Sequence, residues 1–376
     1  MSGGKIKVLT ITTSGLARRD GISTVILDNF ARLDPEKYDL QIIASGEYSY
    51  DLVQAFQNIG VKIHCLPSRK VSPRDYFKAF AKLFKEERYE AIYIHGSSAI
   101  MSVEFYIAKD YGCKVRIPHS HNTTCDHLMV DKILRPFFYR VITDRVACGI
   151  DAGKWLYGDR SFTVIKNGRD PAEYAYDEGT RQRIRRKLGL SDQCLAIGHV
   201  GNFNAQKNQS YLVDVFKLIK EINPQSKMYL MGEGSTRSNV IEKVRKSGLS
   251  EDVIFTGNIP DVPDMLQAMD VMVLPSLHEG LPLVVVEWQL AGLPCVISDK
   301  VTKECAFTDL VSFESIDSPA SVWAEKILNC AGVDRRKKSK QAIAASKEAG
   351  FDINEGAVVL DKILSDGVER CLHMKD

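Results

Sequence analysis

No Cys-x-x-Cys pair occurs in the chain, although it holds nine cysteines. An odd number of thiols without paired spacing excludes a zinc ribbon or a disulfide framework, and reads as scattered apolar fillers of a reducing compartment. No stretch reaches about 18 uninterrupted apolar residues, so none is expected to span a bilayer. The opening MSGGKIKVLTIT passes straight into a β-branched run without the long apolar segment of a signal peptide, which sets the expected location as cytoplasmic. Repeats and low-complexity tracts are absent. The first β-branched run is not followed by Gly-x-Gly-x-x-Gly, which disfavours a nicotinamide-dependent dehydrogenase. Net charge is also scarce, at +2, so nucleic-acid binding has no support beyond diffuse charge.

What is present is the material of two ordinary domains. The 376 residues exceed one typical domain, and 44% hydrophobic with 26% charged residues is a globular composition. Dividing at Gly168 gives 24 − 18 = +6 for Lys+Arg against Asp+Glu in the first part and 26 − 30 = −4 in the remainder, so the first part leans towards an anionic partner. Short β-branched runs alternate with amphipathic segments: KVLTIT, YDLQIIA, VKIHCL, EAIYIH, KVRIPH and RVACG first, then LAIGHVG, KMYLMG, DVIFTG, DVMVLPS and PCVISD. Strict alternation implies right-handed crossovers and parallel sheets covered on both faces. The expected fold is α/β, with two Rossmann-like doubly wound domains, 1–168 and 169–376, meeting at VIKNGRDPAEY and facing each other across a cleft. A last helical stretch near 355–366 fits either domain. Ligands of such sheets bind beyond the carboxyl ends of the strands, so strand-end residues are the candidates.

One stretch resists a packing explanation. SLHEGLPLVVVEWQLAGLPCVISD carries Glu279 and Glu287 in a segment otherwise suited to an interior, where an unpaired carboxylate is costly. Pro282 suits the first turn of a helix, expected to run to about Leu290. Its first amides, at Leu283 and Val284, are then free to donate to an anion. Glu287 lies five residues on, about 7.5 Å along the axis, roughly the span from a nucleotide's diphosphate to its ribose. The plain alternative makes Glu279 a solvated loop residue and Glu287 an exposed helix position. A helix as apolar as LVVVEWQL argues against the latter.

The Glu-x7-Glu pattern, with DGIST, KVRIPHSHN, ACGIDAGKWLYG, VIKNG, GHVGNFNAQKN, LMGEG and VIFTGNIPDVPDMLQAMDVMVLPS, resembles the retaining GT-B glycosyltransferases of family 4, especially the bacterial capsule and exopolysaccharide type. The resemblance implies a nucleotide sugar, UDP by family habit, on the second domain and the acceptor on the first, with the last helix crossing back. It assigns Glu287 to the ribose hydroxyls, Glu279 to the donor sugar and the Leu283 and Val284 amides to the diphosphate, with Gly280 and Leu281 completing the donor-binding loop. Lys207, otherwise an ordinary helix-start lysine, would meet the charge gathering on the leaving group. Gly21, otherwise a plain turn residue, would let backbone approach the phosphates. Either His119 or His121 would stand near the reacting sugar, with His121 preferred because it leads into Asn122. His199 reads as a packed strand residue.

The mechanism implied retains the anomeric configuration, the leaving diphosphate receiving the acceptor proton without a dedicated carboxylate base. The chain has no Asp-x-Asp, the metal-diphosphate device of the other large glycosyltransferase fold, so neither metal nor cofactor is expected. One position departs from the family: Asn202 stands where Arg usually follows the glycine of VGNFNAQKN. A neutral amide offsets less charge than a guanidinium, which makes Arg18 and Arg19 candidates for compensation. The partners implied are a glycan or polyprenyl-diphosphate-linked acceptor and peripheral contact with an anionic membrane at the inner face of the plasma membrane. Two segments could provide that contact. SPRDYFKAFAKLFKEERYE aligns Phe77, Phe80, Ala81 and Phe84 on one helical stripe, and DKILRPFFYRVITDR is similar. Either stripe could instead pack on a sheet. Other functional readings are a nucleotide-sugar epimerase of the same architecture and a non-catalytic nucleotide-sugar binder.

Overall fold

The computed structural model describes residues 4–16 and 21–373. They form two units, one taking the described residues up to Gly168 and those from Ile353 on, the other Arg169–Asp352. The second unit therefore stops short of residue 376. The last helix, Ile353–His373, is longer than its expected 355–366 and buries Leu360, Leu364 and Val368 in the cluster that holds Val8, Ile42 and Val115 of the first unit. Lys37 and Tyr38 add polar contacts to its Asp361, at 2.7 and 2.8 Å.

The first unit's sheet consists of β1 (Ile6–Thr12), β2 (Tyr38–Ser45), β3 (Lys62–Leu66), β4 (Ala91–His95), β5 (Val115–Ser120), β6 (Val146–Ala147) and β7 (Thr163–Val164). Its order is β3-β2-β1-β4-β5-β6-β7 with parallel pairings throughout. A central strand such as β4, buried at every residue, reads as an apolar run because helices cover both faces. This is why the aromatic stripe of the Pro73–Glu87 helix is not a membrane face. Tyr76, Phe80, Leu83 and Phe84 are buried, with Phe77 packed against the same cluster.

The second unit's sheet consists of β8 (Ala196–Val200), β9 (Lys227–Met231), β10 (Val253–Gly257), β11 (Val271–Leu274), β12 (Cys295–Ser298) and β13 (Val311–Glu314). The order β10-β9-β8-β11-β12-β13 is again parallel. In each sheet the strand order reverses once, between β1 and β4 and between β8 and β11. Loops leaving those strands diverge, and the gap between them is where such sheets hold ligands.

Candidate functional site

At the switch point of the second sheet, the loop after β8 lies against the loop after β11. Leu277 N donates to Gln206 O at 2.8 Å, and Gln206 Nε2 to His278 O at 2.8 Å. This stitching brings Lys207 Nζ to 2.6 Å from Glu279 Oε1, an oxygen that also accepts from Ser276 Oγ at 2.8 Å. Glu279 is thus no solvated loop residue, since its side chain is only 10% exposed and a cation offsets its desolvation. An ammonium has three donors, so Lys207 keeps capacity for a second anion.

The loop after β8 also packs on two glycines that follow β9. Gly232 and Gly234 have φ of +142° and +154°, and a Cβ on either would collide with the carbonyls of Gly201 and Phe203. His199, packed as expected, ties β8 to β11 through Nδ1 to Val273 O at 2.9 Å. Burial pushes its imidazole down to about 4.

The helix beyond Glu279 runs Leu283–Leu290, with Pro282 as its N-cap rather than its first helical residue. No side chain caps this end, which leaves the Leu283 and Val284 amides without intrahelical acceptors. Gly280, exposed, and Leu281, half-buried, form the bend leading in. The helix buries seven of its eight residues, Glu287 among them, because it lies in the core rather than on its rim.

Glu287 departs from expectation. Its Oε1 accepts from Arg169 Nε at 2.6 Å, both side chains being under 10% exposed. The acid read as waiting for a ribose is already held by a cation of its own chain. Sequence reasoning missed Arg169, and the one signal for it was negative: a buried carboxylate requires a partner. Asn202 is exposed on its loop, its carbonyl accepting from Gln209 Nε2 at 2.9 Å. Arg18 and Arg19 lie outside the described residues.

In the first unit, strand register sets His95 beside His119, while His121 follows the end of β5. His119, 1% exposed, bonds through Nδ1 to the Tyr93 hydroxyl. His121 is only half-buried and bonds through Nε2 to His95 Nδ1 at 2.8 Å. Of the two candidates, His121 is the one with access to solvent. Burial, then the neighbouring imidazoles, holds His95 and His119 well below the ordinary histidine value, so both are neutral. One nitrogen from each of the three rings lies within 4.8 Å of the others, a metal-capable grouping. The His95 Nδ1–His121 Nε2 contact, at 2.8 Å, engages one nitrogen of each of those two rings. Sequence reasoning missed His95 too, although it ends the run EAIYIH as His119 ends KVRIPH. Gly21 opens the exposed start of the Gly21–Phe30 helix in the same unit.

Comparison with known proteins fits this geometry. Residues 180–328 match the family model described as glycosyl transferases group 1. The chain is 29% identical over 388 residues to the putative glycosyltransferase EpsF of Bacillus subtilis strain 168, covering 98% of this chain and 99% of that one. The chain has the GT-B fold, and the relatives it matches over its length are glycosyltransferases. It is also 27% identical over 361 residues to the Escherichia coli UDP-Gal:alpha-D-GlcNAc-diphosphoundecaprenol alpha-1,3-galactosyltransferase, covering 89% of this chain and 92% of that enzyme. Its fold matches that of Anabaena HepE, solved in complex with UDP, with a TM-score of 0.77 at 17% identity, over 96% of this chain and 100% of that one.

Proposed function

We propose that this glycosyltransferase moves a hexosyl group, with retention of configuration and without a metal, from a UDP-sugar to a polyprenyl-diphosphate-linked glycan in surface polysaccharide biosynthesis. The observation that carries the reading is the Lys207–Glu279 pair at 2.6 Å, next to a helix start whose amides are uncapped. In this reading Lys207 and these amides both act on the leaving diphosphate as it gathers charge, and electrostatic stabilisation of this kind is the largest single term in many enzymes. The name of the E. coli relative, with its UDP-sugar donor and diphosphoundecaprenol acceptor, supports the donor and acceptor classes.

In this reading the bond from the anomeric carbon to the diphosphate oxygen breaks, and the acceptor hydroxyl forms the new glycosidic bond on the same face. The acceptor proton passes to the departing diphosphate oxygen. The Leu283 and Val284 amides and Lys207 hold that diphosphate, while Gly280 and Leu281 shape the loop around it. Glu279 orients the sugar hydroxyls, and Glu287, fixed by Arg169 through Oε1, offers Oε2 to the ribose. The first unit's candidates for the same substrate are His121, keyed by His95, and Gly21.

The test pairs binding with product analysis. UDP-sugars and UDP should raise the melting temperature, since a ligand confined to the native state stabilises it. With a polyprenyl-diphosphate-linked sugar, the product should be a new glycoside with the donor's anomeric configuration, at a rate unchanged by EDTA. An inverted linkage, a free epimerised sugar or a rate abolished by EDTA would each overturn the reading.

A further inference from the structure

One buried cation of the second unit has no acid on it. Arg335, 7% exposed, opens the helix Arg335–Glu348, and among the described residues no carboxylate stands within ion-pair reach of its guanidinium. It donates instead to four backbone carbonyls. Nη1 reaches Gln267 O at 2.7 Å and Met269 O at 2.9 Å, and Nη2 reaches Leu266 O at 3.2 Å and Ala291 O at 2.9 Å. The first three end the helix Val262–Ala268, and the fourth belongs to the C-cap of the helix Leu283–Leu290. Such carbonyls are the orphan acceptors at the negative end of a helix, so one planar cation serves two helix ends.

Those two helices precede and follow β11, and the second is the one whose uncapped amides hold the diphosphate in the function proposed above. Two further contacts fix its far end from the same side. Ser339, one turn beyond Arg335, donates from Oγ to Leu290 O at 2.6 Å. Gly292, at φ +66°, lets the two backbones meet, since a Cβ there would collide with Arg335 O and Ser339 N. Burial, then the neighbouring Arg181, lowers the Arg335 pKa to about 9, so the charge persists at neutral pH. A buried charge without a counter-ion is costly, and here the two helix ends offset it. The helix Leu283–Leu290 is about 12 Å long, so a tilt at its Arg335 end displaces the amides at the other and Glu287 between them. Misplacing catalytic groups by about 1 Å can cost about 10²-fold.

We propose that Arg335 is a positioning residue for donor binding, setting from the opposite end of the helix Leu283–Leu290 where the Leu283 and Val284 amides meet the diphosphate. The inference rests on the donor site proposed above. The test uses the full chain at a temperature where each variant is folded by circular dichroism, reads donor and acceptor kinetics separately, and measures UDP binding by calorimetry. Arg335→Lys keeps a cation but replaces the planar fork by one ammonium with three donors. It should lower kcat by about 10–100-fold and weaken UDP binding several-fold, while the KM for the acceptor stays at the wild-type value. Ser339→Ala should show the same pattern at smaller size, and reports on the same helix end should Arg335→Lys fail to fold. Val244→Ala, a core truncation in the helix Arg237–Lys246, is the control for lost stability alone; it should lower the melting temperature and leave kcat and UDP affinity unchanged. If Arg335→Lys and Ser339→Ala behave like this control, or if their loss is confined to the KM for the acceptor, the proposal is overturned while the donor site stands. Wild-type protein that binds no UDP would remove the donor site and the role of Arg335 with it.

Discussion

In the second unit each candidate acid has a cation on it, Lys207 on Glu279 and Arg169 on Glu287, whereas the candidate residues of the first unit are imidazoles bonded to one another and to a tyrosine. Both groups sit at strand ends beside a switch point. The second unit's group keeps charge in a buried place by pairing it; in the first unit's group, desolvation keeps His95 and His119 uncharged. Paired ions suit a diphosphate that brings its own negative charge and can share the ammonium of Lys207. Neutral imidazoles suit a sugar, whose hydroxyls need a donor and an acceptor rather than a counter-ion.

The sharpest way to break this contrast is to remove one ion of a pair. Arg169→Met leaves Glu287 buried and unpaired, and should cost about 3–5 kcal/mol in urea denaturation of the second unit, with Arg169→Met/Glu287→Met restoring most of it. A small loss in the single variant would mean that the pair is not what holds the acid. Next in size, Lys207→Met should lower kcat about 10²–10³-fold through loss of charge stabilisation at the leaving group. If turnover barely moves, the pair serves only to support the loop.

The neutral group predicts a pH dependence. His64, His95 and His119 of the first unit and His199 of the second all lie below the ordinary histidine value, with burial the first cause. Above about pH 6.5 each is neutral whether folded or not. As pH falls below that, the unfolded chain takes up protons that the folded chain refuses. Stability then drops by about 1.4 kcal/mol per pH unit for each such histidine until its folded value is reached, about 4 for His199. Glu104 works in the opposite sense. Burial pushes it up to about 7 beside Arg69, so it gains a proton on folding and offsets one histidine. Hydrogen exchange at pH 7 and pH 5.5 should therefore show the first unit losing more protection than the second, and equal losses would break the comparison.

The smallest effect expected is at Asn202. Its side chain is exposed, and the contact it makes is through the backbone carbonyl. Asn202→Arg should raise turnover by less than about tenfold by adding a cation near the diphosphate. An unchanged or lower rate would show that the neutral residue is no handicap.

Much of the scaffold was legible because local pattern reports local geometry. Alternating β-branched and amphipathic segments gave the two parallel sheets, and the strand ends located HEGLP, NAQKN and HSHN as the loops of interest. The boundary at Gly168 was legible from turn chemistry, while the allegiance of the last helix came from the family resemblance alone, since its apolar stripe would suit either sheet. The two membrane candidates teach the same lesson. SPRDYFKAFAKLFKEERYE and DKILRPFFYRVITDR have the same mixture of aromatic and basic residues, yet Phe80 and Phe84 are buried and Ile133 and Phe137 are not.

By itself the sequence determined that acids stood in an apolar segment and needed partners, because the cost of burying a carboxylate holds in any fold. Which partners they found was decided by the tertiary structure. Arg169 reaches Glu287 across 118 residues, and Lys207 reaches Glu279 because strand order lays the loop after β8 against the loop after β11. Periodicity carries no information about contacts of that range; they exist only once the sheet has chosen the order of its strands.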